Sequence, residues 1–319
     1  MVWRRCLTLT RENPSEGLFP VAVIGCGLIG ASWAALFLEA GHHVRAWDPI
    51  QATREGFGDR VATPRQQLRE IGGGAANKGT LTICETLQEA VVGVRIIQEN
   101  APENVPLKRD LYAQIEATVK SDVIIASSTS AHPWSHLSVE MQHPNRLVTA
   151  HPFNPPHLVP LVELFGPDDA ILSVAEQFYR GLGSVPVRLK KDAVGHIANR
   201  LASALWREAV HLVAEGIADV EAVDLALVNG PGLRWSVLGA HMAYHLGGGT
   251  GGMASYLEHL GPSQEKRWAD LGTPSLTPDV CNQLILGVET EAAGRSVSEL
   301  EAERDAALIA LAKMRKSQK

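Results

Sequence analysis

The sequence lacks any apolar run of eighteen residues, which is about the length that a helix needs to cross a bilayer. It also lacks an excess of basic residues, because its formal net charge is -6 at pH 7. This charge argues against nucleic acid or an anionic membrane surface as the main partner. The 319 residues are 45% hydrophobic and 20% charged, which is typical of a soluble globular protein with one large or two ordinary domains.

Cysteine is scarce, and the four cysteines are too scattered to provide the ligand spacing of a metal site. Reduced thiols of this kind fit a cytoplasmic protein best. Residues 1–18 include basic residues but no continuous apolar stretch, so we interpret them as a flexible leader and not as a signal peptide. The sequence contains no internal repeat and no low-complexity segment.

A glycine-rich turn follows the first apolar segment. Residues 21–24 are Val-Ala-Val-Ile, residues 25–30 are Gly-Cys-Gly-Leu-Ile-Gly, and an apolar helical segment then extends to Gly41. This order predicts a strand, a tight turn, and a helix whose N-terminus faces the pyrophosphate of a dinucleotide. The predicted cofactor contacts in the turn are Gly25, Gly27, Leu28, Ile29 and Gly30.

An acidic residue follows the second predicted strand, residues 43–47. This residue, Asp48, comes eighteen residues after Gly30. A carboxylate at that position accepts hydrogen bonds from the adenosine ribose and repels a 2′-phosphate, which favours NAD over NADP. The alternative is a solvent-facing aspartate after an ordinary strand, helix and strand unit.

Four further strands are predicted, at residues 94–100, 122–126, 147–150 and 185–189. The predicted fold is therefore α/β, with a Rossmann-type doubly wound, mostly parallel sheet, and residues 51–90 are expected to lie outside that sheet. The run Ser127–Ser130 falls at the carboxyl end of a strand, where such sheets bind ligands. Its hydroxyls can donate to a cofactor or substrate oxygen, and we assign Ser128 to the cofactor. An ordinary polar turn explains the run equally well.

A histidine and a carboxylate are expected at neighbouring strand ends. His151 follows the strand at 147–150, a proline-rich turn comes next, and a second apolar run at 158–164 carries Glu163. A carboxylate bonded to one imidazole nitrogen fixes the tautomer and raises the basicity of the other nitrogen, which makes a general base near neutral pH. The alternative is a buried, satisfied histidine and an unrelated glutamate on an edge strand.

The pattern changes to helical periodicity after about Asp192. Helices are predicted at residues 198–215, 220–228, 235–245, 252–260, 277–293 and 297–316. The predicted domains are a leader at 1–18, a dinucleotide-binding domain at 19–192, and an all-helical substrate and dimerisation domain at 193–319. His241 and His245 suggest a metal site, but the glutamate that zinc proteases carry after the first histidine is missing, so we predict no metal.

Four segments together resemble the L-3-hydroxyacyl-CoA dehydrogenase superfamily. They are the glycine turn with its later aspartate, Ser-Ser-Thr-Ser at 127–130, His-Pro-x-Asn-Pro at 151–155 with a glutamate twelve residues after the histidine, and Gly-x-x-x-Asn-Arg at 195–200. The resemblance covers nearly the whole chain from about Val21. It implies NAD as the cofactor and a homodimer that forms through the helical domain.

The resemblance also implies roles for individual residues. His151 and Glu163 correspond to the catalytic dyad of the superfamily. Ser130 and Asn199 correspond to residues that hydrogen-bond the substrate oxygen at the reacting carbon, and Glu99 to a residue beside the nicotinamide.

Within the superfamily, the chain is most like the branch that contains carnitine dehydrogenases and lambda-crystallin, an L-gulonate 3-dehydrogenase. The segments concerned are residues 127–130, 150–156 and 230–235, and residues 294–305 look most like carnitine dehydrogenases. This branch acts on free 3-hydroxy acids, and residues 51–90 lack the lysine-rich helical extension of the CoA enzymes. The resemblance therefore implies oxidation of a small free L-3-hydroxy acid, with L-carnitine favoured. The alternatives are L-gulonate, a 3-hydroxyacyl-CoA, or a crystallin-like protein without turnover.

Several residues are candidates for the far end of the substrate. The guanidinium of Arg234 matches a carboxylate, although an arginine that braces the helical domain or its dimer contact is an equal alternative. A trimethylammonium group would meet aromatic faces, for which Phe153, Trp235 and Tyr244 are available. Core packing is the alternative role for each of these aromatic residues.

Overall fold

The computed structural model describes residues 18–72, 74 and 79–317. These residues form two compact units, one of residues 18–200 and 303–317 and the other of residues 201–302. The predicted leader lies outside the described residues, except for Leu18. The predicted domain bounds, 19–192 and 193–319, stay a prediction.

An eight-stranded sheet forms the core of the unit that contains residues 18–200. Its strands are β1 Val21–Ile24, β2 Val44–Trp47, β3 Leu81–Ile83, β4 Ile96–Glu99, β5 Ile124–Ser127, β6 Leu147–Pro152, β7 Leu161–Phe165 and β8 Val185–Arg188. Their order across the sheet is β3-β2-β1-β4-β5-β6-β7-β8. Neighbouring strands are parallel except β6 and β7, which are antiparallel. The predicted doubly wound, mostly parallel sheet is confirmed.

The strand β3 corrects one expectation, since residues 51–90 were expected to lie outside the sheet. Leu81–Ile83 pairs in parallel with β2 and forms the edge of the sheet. The strand has only three residues, and Thr82 between its two apolar residues is exposed. Such a short segment has too little alternation to be recognised from sequence.

Helices cover both faces of the sheet. They are α1 Leu28–Glu39, α2 Gln51–Glu55, α3 Phe57–Glu70, α4 Leu87–Val91, α5 Val105–Glu116, α6 Trp134–Leu137 and α7 Asp169–Gly181, with a 3₁₀ turn at Pro144–Arg146. Alternate residues of β1 point to opposite faces, so Val21 and Val23 pack in one apolar cluster and Ala22 and Ile24 in the other. The sheet is therefore buried on both faces, as parallel sheets usually are.

The second half of the chain is helical, as predicted. Its helices are α8 Ala198–Ala214, α9 Val220–Asn229, α10 Pro231–Trp235, α11 Ala240–Gly247, α12 Gly252–Asp270, α13 Pro278–Ala292 and α14 Val297–Ser317, with a 3₁₀ turn at Gly249–Gly251. The predicted helix at 235–245 is wrong, because α10 ends at Trp235 and Gly239 is the N-cap of α11. None of the described helices is both long and apolar enough to cross a membrane.

The end of α14 packs within the unit that carries the sheet. Gln67 in α3 donates through Nε2 to Asp305 Oδ2 at 3.0 Å. Ile71, Leu158 and Ile309 form a small apolar cluster beside this bond. Residues 303–317 thus cover apolar surface near the turn that follows β6.

Candidate active site

His151 and Glu163 face each other across the antiparallel strands β6 and β7. The two residues are register partners, which places their side chains on the same face of the sheet. His151 Nδ1 lies 2.8 Å from Glu163 Oε2, and the residues are only 4% and 1% exposed. A carboxylate can only accept, so Nδ1 carries the hydrogen and Nε2 is left with a lone pair. No described residue forms a hydrogen bond with that Nε2.

The second oxygen of Glu163 holds the N-terminus of α8. Oε1 accepts the backbone N–H of Ile197 at 2.7 Å and that of Ala198 at 3.0 Å. Burial raises the pKa of Glu163, but the hydrogen bonds from His151, Ala198 and Ile197 outweigh it and hold the pKa below its ordinary value of 4.5. Glu163 therefore stays ionised near neutral pH and keeps its oxygen as an acceptor for the N–H of His151 Nδ1.

Ser130 and Asn199 are also brought together. Asn199 donates through Nδ2 to the backbone oxygen of Ser130 at 3.0 Å. The Ser130 hydroxyl donates to Glu103 Oε1 at 2.9 Å, and the Ser130 backbone N–H donates to the same oxygen. The turn after β5, which carries Ser130, thus meets the start of α8, which carries Asn199.

Sequence reasoning missed Glu103, which organises this turn. Its carboxylate also accepts the Thr129 hydroxyl at 2.9 Å. Burial raises the pKa of Glu103, whereas the hydrogen bonds from Ser130 and Thr129 and the charge of Lys108 lower it below its ordinary value. Glu103 is the first acidic residue after β4, which itself ends at Glu99, so a search for paired carboxylates at that strand end would have found it.

The glycine turn leaves open space beside the start of α1. A Cβ on Gly25 would meet Asn100 O at 2.6 Å, and one on Gly30 would meet Gly25 O at 2.0 Å, whereas one on Gly27 would meet nothing within 4 Å. Gly27 is the N-cap, no side chain caps α1, and no acidic residue lies in its first turn. Unpaired backbone N–H groups thus face an opening, which is the arrangement that binds a pyrophosphate.

Asp48 lies at the end of β2 beside this turn. Its Oδ2 accepts the backbone N–H of Cys26, and its Oδ1 accepts that of Ile50, both at 2.9 Å. Leu28 is 74% exposed and Ile29 is half-buried at the start of α1. The predicted cofactor residues at 25–30 and Asp48 therefore lie together where β1 and β2 end, and their geometry fits the pyrophosphate and ribose of NAD.

Comparison with known sequences identifies the family. The NAD-binding domain model of 3-hydroxyacyl-CoA dehydrogenases matches residues 20–193, and their C-terminal domain model matches residues 195–292. The chain belongs to the 3-hydroxyacyl-CoA dehydrogenase family. It is an NAD-dependent oxidoreductase, as the resemblance implied.

Relatives and a solved structure agree with this assignment. An L-carnitine dehydrogenase of Nocardiopsis dassonvillei is 42% identical over 311 residues, which cover 96% of this chain and 94% of that protein. An L-carnitine dehydrogenase of Bacillus cereus is 40% identical over 91% of this chain and 90% of that protein. The crystal structure of 5-formyl-3-hydroxy-2-methylpyridine 4-carboxylic acid 5-dehydrogenase, an NAD+-dependent dismutase, has a TM-score of 0.77 and 27% identity, and the match covers 94% of this chain and 99% of that one.

Two predicted cofactor residues of this 3-hydroxyacyl-CoA dehydrogenase family member form hydrogen bonds with other residues of the protein. Glu99 is fully buried, and its carboxylate accepts hydrogen bonds from Lys108 at 2.7 Å, Tyr112 at 2.6 Å and Ser127 at 2.7 Å, and from the Ala101 backbone. These partners use the capacity of both oxygens. The contacts therefore favour an internal structural role for Glu99, and the carboxylate that faces the Ser130 turn is Glu103.

Ser128 has a similar setting. Its hydroxyl accepts from Trp33 Nε1 at 3.1 Å and from Gln98 Nε2 at 2.9 Å, and it donates to Asn100 Oδ1 at 2.7 Å. Three partners fill the capacity of one hydroxyl. The Ser128 hydroxyl therefore has no donor or acceptor left for the predicted hydrogen bond to the cofactor.

His196 is a second residue that sequence reasoning missed. It is 1% exposed, and its ring centroid lies 5.1 Å from that of His151. The sequence signal was its position directly after Gly195, inside the Gly-x-x-x-Asn-Arg segment. A histidine at this position is a candidate site residue because it lies just before the helix that carries Asn199.

The predicted substrate residues lie in both units of the family member. Phe153 is half-buried, and its ring centroid lies 6.5 Å from that of His151. Arg234 is exposed and Trp235 half-buried at the end of α10 in the helical unit. Tyr244 packs on Tyr256 with centroids 5.0 Å apart. Their substrate contacts stay predictions, as does the absence of a metal, although the described residues include no group of three metal-ligating side chains.

Proposed function

We propose that this chain oxidises the 3-hydroxyl of a small free L-3-hydroxy acid with NAD+, and that its substrate is L-carnitine, which becomes 3-dehydrocarnitine. One observation supports this reaction most directly. Buried His151 forms a 2.8 Å hydrogen bond with Glu163, and no described residue forms a hydrogen bond with its other ring nitrogen. The assignment of L-carnitine as the substrate is supported by the names of relatives that are about 40% identical to this chain.

The residues around the glycine turn hold the cofactor. The unpaired N–H groups at the start of α1 bind the pyrophosphate, to which Gly27 allows close approach, and Asp48 binds the adenosine ribose. When bound there, NAD+ would supply the hydride acceptor for the oxidation at C3. The chain contributes orientation and electrostatics to this chemistry.

His151 is the general base of the proposed reaction. Its Nε2 takes the proton of the C3 hydroxyl as the carbonyl forms, so His151 becomes positively charged. Glu163 stabilises this imidazolium through the 2.8 Å bond to Nδ1, and the two backbone N–H groups at its second oxygen keep its carboxylate in place. The proton ends on His151 and is then released to solvent.

Ser130 and Asn199 hold the reacting oxygen. Asn199 uses one amide hydrogen on the backbone oxygen of Ser130 and keeps the second for the substrate. The Ser130 hydroxyl donates to Glu103 in this structure, so it turns from Glu103 to the substrate oxygen when the substrate binds. Glu103 is thus the acceptor of the Ser130 hydroxyl until the substrate oxygen takes its place.

Arg234 binds the substrate carboxylate, because a guanidinium offers two parallel donors to two oxygens. Phe153, Trp235 and Tyr244 provide aromatic faces for the trimethylammonium group, which cannot form hydrogen bonds and is held by cation–π attraction. The chemistry of the two ends of carnitine motivates these assignments.

A panel of NAD+ reduction assays tests the proposal. The substrates are L-carnitine, L-gulonate, 3-hydroxybutyrate and 3-hydroxybutyryl-CoA, with His151→Ala as the matched variant. We expect the highest kcat/KM with L-carnitine, and a kcat at least about 100-fold lower in His151→Ala with NAD+ binding retained. A higher kcat/KM with gulonate or the thioester would refute L-carnitine as the substrate. NAD+ binding without turnover of any of the four compounds would favour a structural protein.

The assembly and compartment are part of the proposal. We infer a homodimer through the helical unit, where apolar side chains such as Leu201, Trp206 and Ile285 are more than half exposed. A cytoplasmic location is supported by the free thiols of Cys26, Cys84 and Cys281. Light scattering after size exclusion measures the assembly, and a monomeric mass at micromolar concentration contradicts the dimer.

A further inference from the structure

His196 lies in a turn that contacts three residues of the candidate site, namely His151, Glu163 and Thr129. Gly195 and His196 both have left-handed backbones, with φ of +70° and +51°. The left-handed region is disfavoured for side chains with a Cβ, although histidine tolerates it better than most. The two successive left-handed residues precede the backbone N–H groups of Ile197 and Ala198, both of which donate to Glu163.

The side chain of His196 connects the same turn to the residues around Ser130. Its Nε2 lies 3.0 Å from the backbone oxygen of Thr129, the residue directly before Ser130. A carbonyl only accepts, so Nε2 carries the hydrogen. Nδ1 is then a bare acceptor in the neutral ring, and it is buried without a hydrogen-bond partner among the described residues.

The environment of His196 keeps its ring neutral. Burial lowers the pKa of His196 most, the Thr129 carbonyl raises it, His151 lowers it, and Glu163 and Asp192 raise it, with a net pKa below the ordinary 6.5. A neutral ring 5.1 Å from His151 does not repel the imidazolium that forms there, whereas a charged ring would.

The buried, unpaired nitrogen of His196 is costly to stability. A buried acceptor without a partner destabilises the folded state, and an apolar ring of similar size would avoid that penalty. The polar atoms of His196 reduce stability and lie beside the reacting groups. A functional role therefore explains a histidine at this position better than packing does.

We propose that His196 is a positioning residue, which holds the Thr129 carbonyl beside Ser130 and directs two backbone N–H groups to Glu163. The inference rests on the proposed function, because the groups that it positions are the proposed base and oxygen-binding residues. One side chain thus sets the distance between the His151–Glu163 pair and the Ser130 turn.

A pair of substitutions tests this role. His196→Phe keeps a ring but removes both nitrogens, whereas His196→Gln keeps an amide donor near the position of Nε2, and both share the backbone cost of a left-handed residue. We expect His196→Phe to lower kcat by about tenfold to 100-fold, the scale of a small misplacement of reacting groups. We also expect an unchanged KM for NAD+ and an unfolding midpoint within about 3 °C of the parent. His196→Gln should recover part of the lost kcat.

His42→Phe is the matched control. His42 is also buried and also bonds a backbone carbonyl, that of Phe19, but it packs among Phe19 and Phe178 away from the site. Its replacement should leave kcat unchanged. The proposal is overturned if His196→Phe retains full kcat, or if His196→Gln is as slow as His196→Phe and both lose stability in step with activity.

Nitrogen-15 NMR of the histidine side chains separates this inference from the proposed function. It needs no substrate, so it reports on His196 even if no compound of the panel is oxidised. We expect His196 to show a neutral ring with hydrogen on Nε2, and the Nδ1–H signal of His151 to weaken or shift in His196→Phe. Hydrogen on Nδ1 of His196, or an unaltered His151 signal in the variant, would refute the positioning role.

Discussion

Glu163 orients His151 with one oxygen and is itself held by the other. Oε2 receives the His151 N–H, and Oε1 receives the N–H groups of Ile197 and Ala198. A carboxylate with three donors and almost no exposed surface has one fixed orientation. The tautomer of His151 therefore depends on a single side chain, because only an acceptor opposite Nδ1 keeps the lone pair on Nε2.

Glu163→Gln should reverse that tautomer. The amide oxygen of glutamine would keep the two backbone N–H groups, so its NH2 group would face His151 Nδ1 and donate to it. His151 would then carry its hydrogen on Nε2 and could not accept a proton from the substrate. We expect kcat to fall on the order of 1000-fold with NAD+ affinity preserved, measured by steady-state kinetics and calorimetry. Glu176→Gln, on the distant α7, is the control, and comparable losses in both variants would contradict the explanation.

At the scale of elements, two glycines of the turn between β1 and α1 differ in role, because one allows close packing and the other leaves space for a ligand. Gly30 permits the helix to approach the strand, since a Cβ there would lie 2.0 Å from Gly25 O. Gly27 has no such neighbour, so its missing side chain leaves space for a ligand. The two glycines of one motif thus have different physical tasks.

Alanine substitutions should separate these tasks. Gly30→Ala should destabilise the protein by about 1–3 kcal/mol, because the turn must shift to remove the overlap. Gly27→Ala should fold normally and weaken NAD+ binding by about tenfold or more, equivalent to some 1.4 kcal/mol. Thermal unfolding and calorimetric titration measure the two effects, with Gly58→Ala in α3 as a control that has open space around its Cβ. Equal effects of Gly27→Ala and Gly30→Ala on stability would refute the distinction.

A buried ion pair joins β4 to α5. Lys108 Nζ lies 2.7 Å from Glu99 Oε1, and the side chains are 1% and 0% exposed. Lys108 also donates to Ala101 O at 3.0 Å. An ionised Glu99 without this partner would be a buried charge without compensation, which proteins rarely tolerate.

Lys108→Met should therefore destabilise the protein by about 3–5 kcal/mol in chemical denaturation, even though methionine fits a similar volume. The double variant with Glu99→Gln should recover much of this loss, because it removes the uncompensated charge. Lys120→Met, at an exposed lysine, is the control. A double variant that is less stable than Lys108→Met alone would show that the charge is not the cause.

At the scale of the whole molecule, three buried histidines make the fold sensitive to acid. Burial is the largest cause that lowers the pKa of His42, His157 and His196, and for His157 the pKa falls from 6.5 to about 4. His157 bonds Ser32 Oγ at 3.0 Å and Gln67 Oε1 at 2.5 Å, so it connects α1 with α3 in its neutral form.

Stability should fall as the pH drops from 6.5 towards 4. In this window the unfolded chain binds protons on these histidines and the folded chain does not, so the unfolded state gains stability. For His157 the loss is at most about 3 kcal/mol, given its shift from 6.5 to about 4. Urea unfolding between pH 7.5 and 4 measures it, and His157→Gln should flatten the profile whereas exposed His143→Gln should not. A profile that is flat in the parent would contradict the explanation.

The Rossmann sheet could be predicted because its signals are local. The glycine turn after Val21–Ile24 and the acid after Val44–Trp47 each lie within one strand, turn and helix, and the family assignment confirms the NAD-binding fold. The edge strand Leu81–Ile83 and the break after Trp235 could not be predicted with the same rules, because three residues or one turn carry too little pattern.

The sequence by itself determined the sheet apart from its edge strand β3, the cofactor type, and the proximity of His151 to Glu163, since twelve residues with a proline-rich turn suffice to pair two strand ends. Only the tertiary structure decided that Glu103 accepts the hydroxyl of Ser130, that Glu99, which was expected beside the nicotinamide, is bonded inside the protein, and that His196 lies beside His151. The contacts of Glu103 with Ser130 and of His196 with His151 join residues at least 27 positions apart in different elements. The physical reason is that packing of the sheet against the start of α8 sets such distances, and no local pattern encodes them.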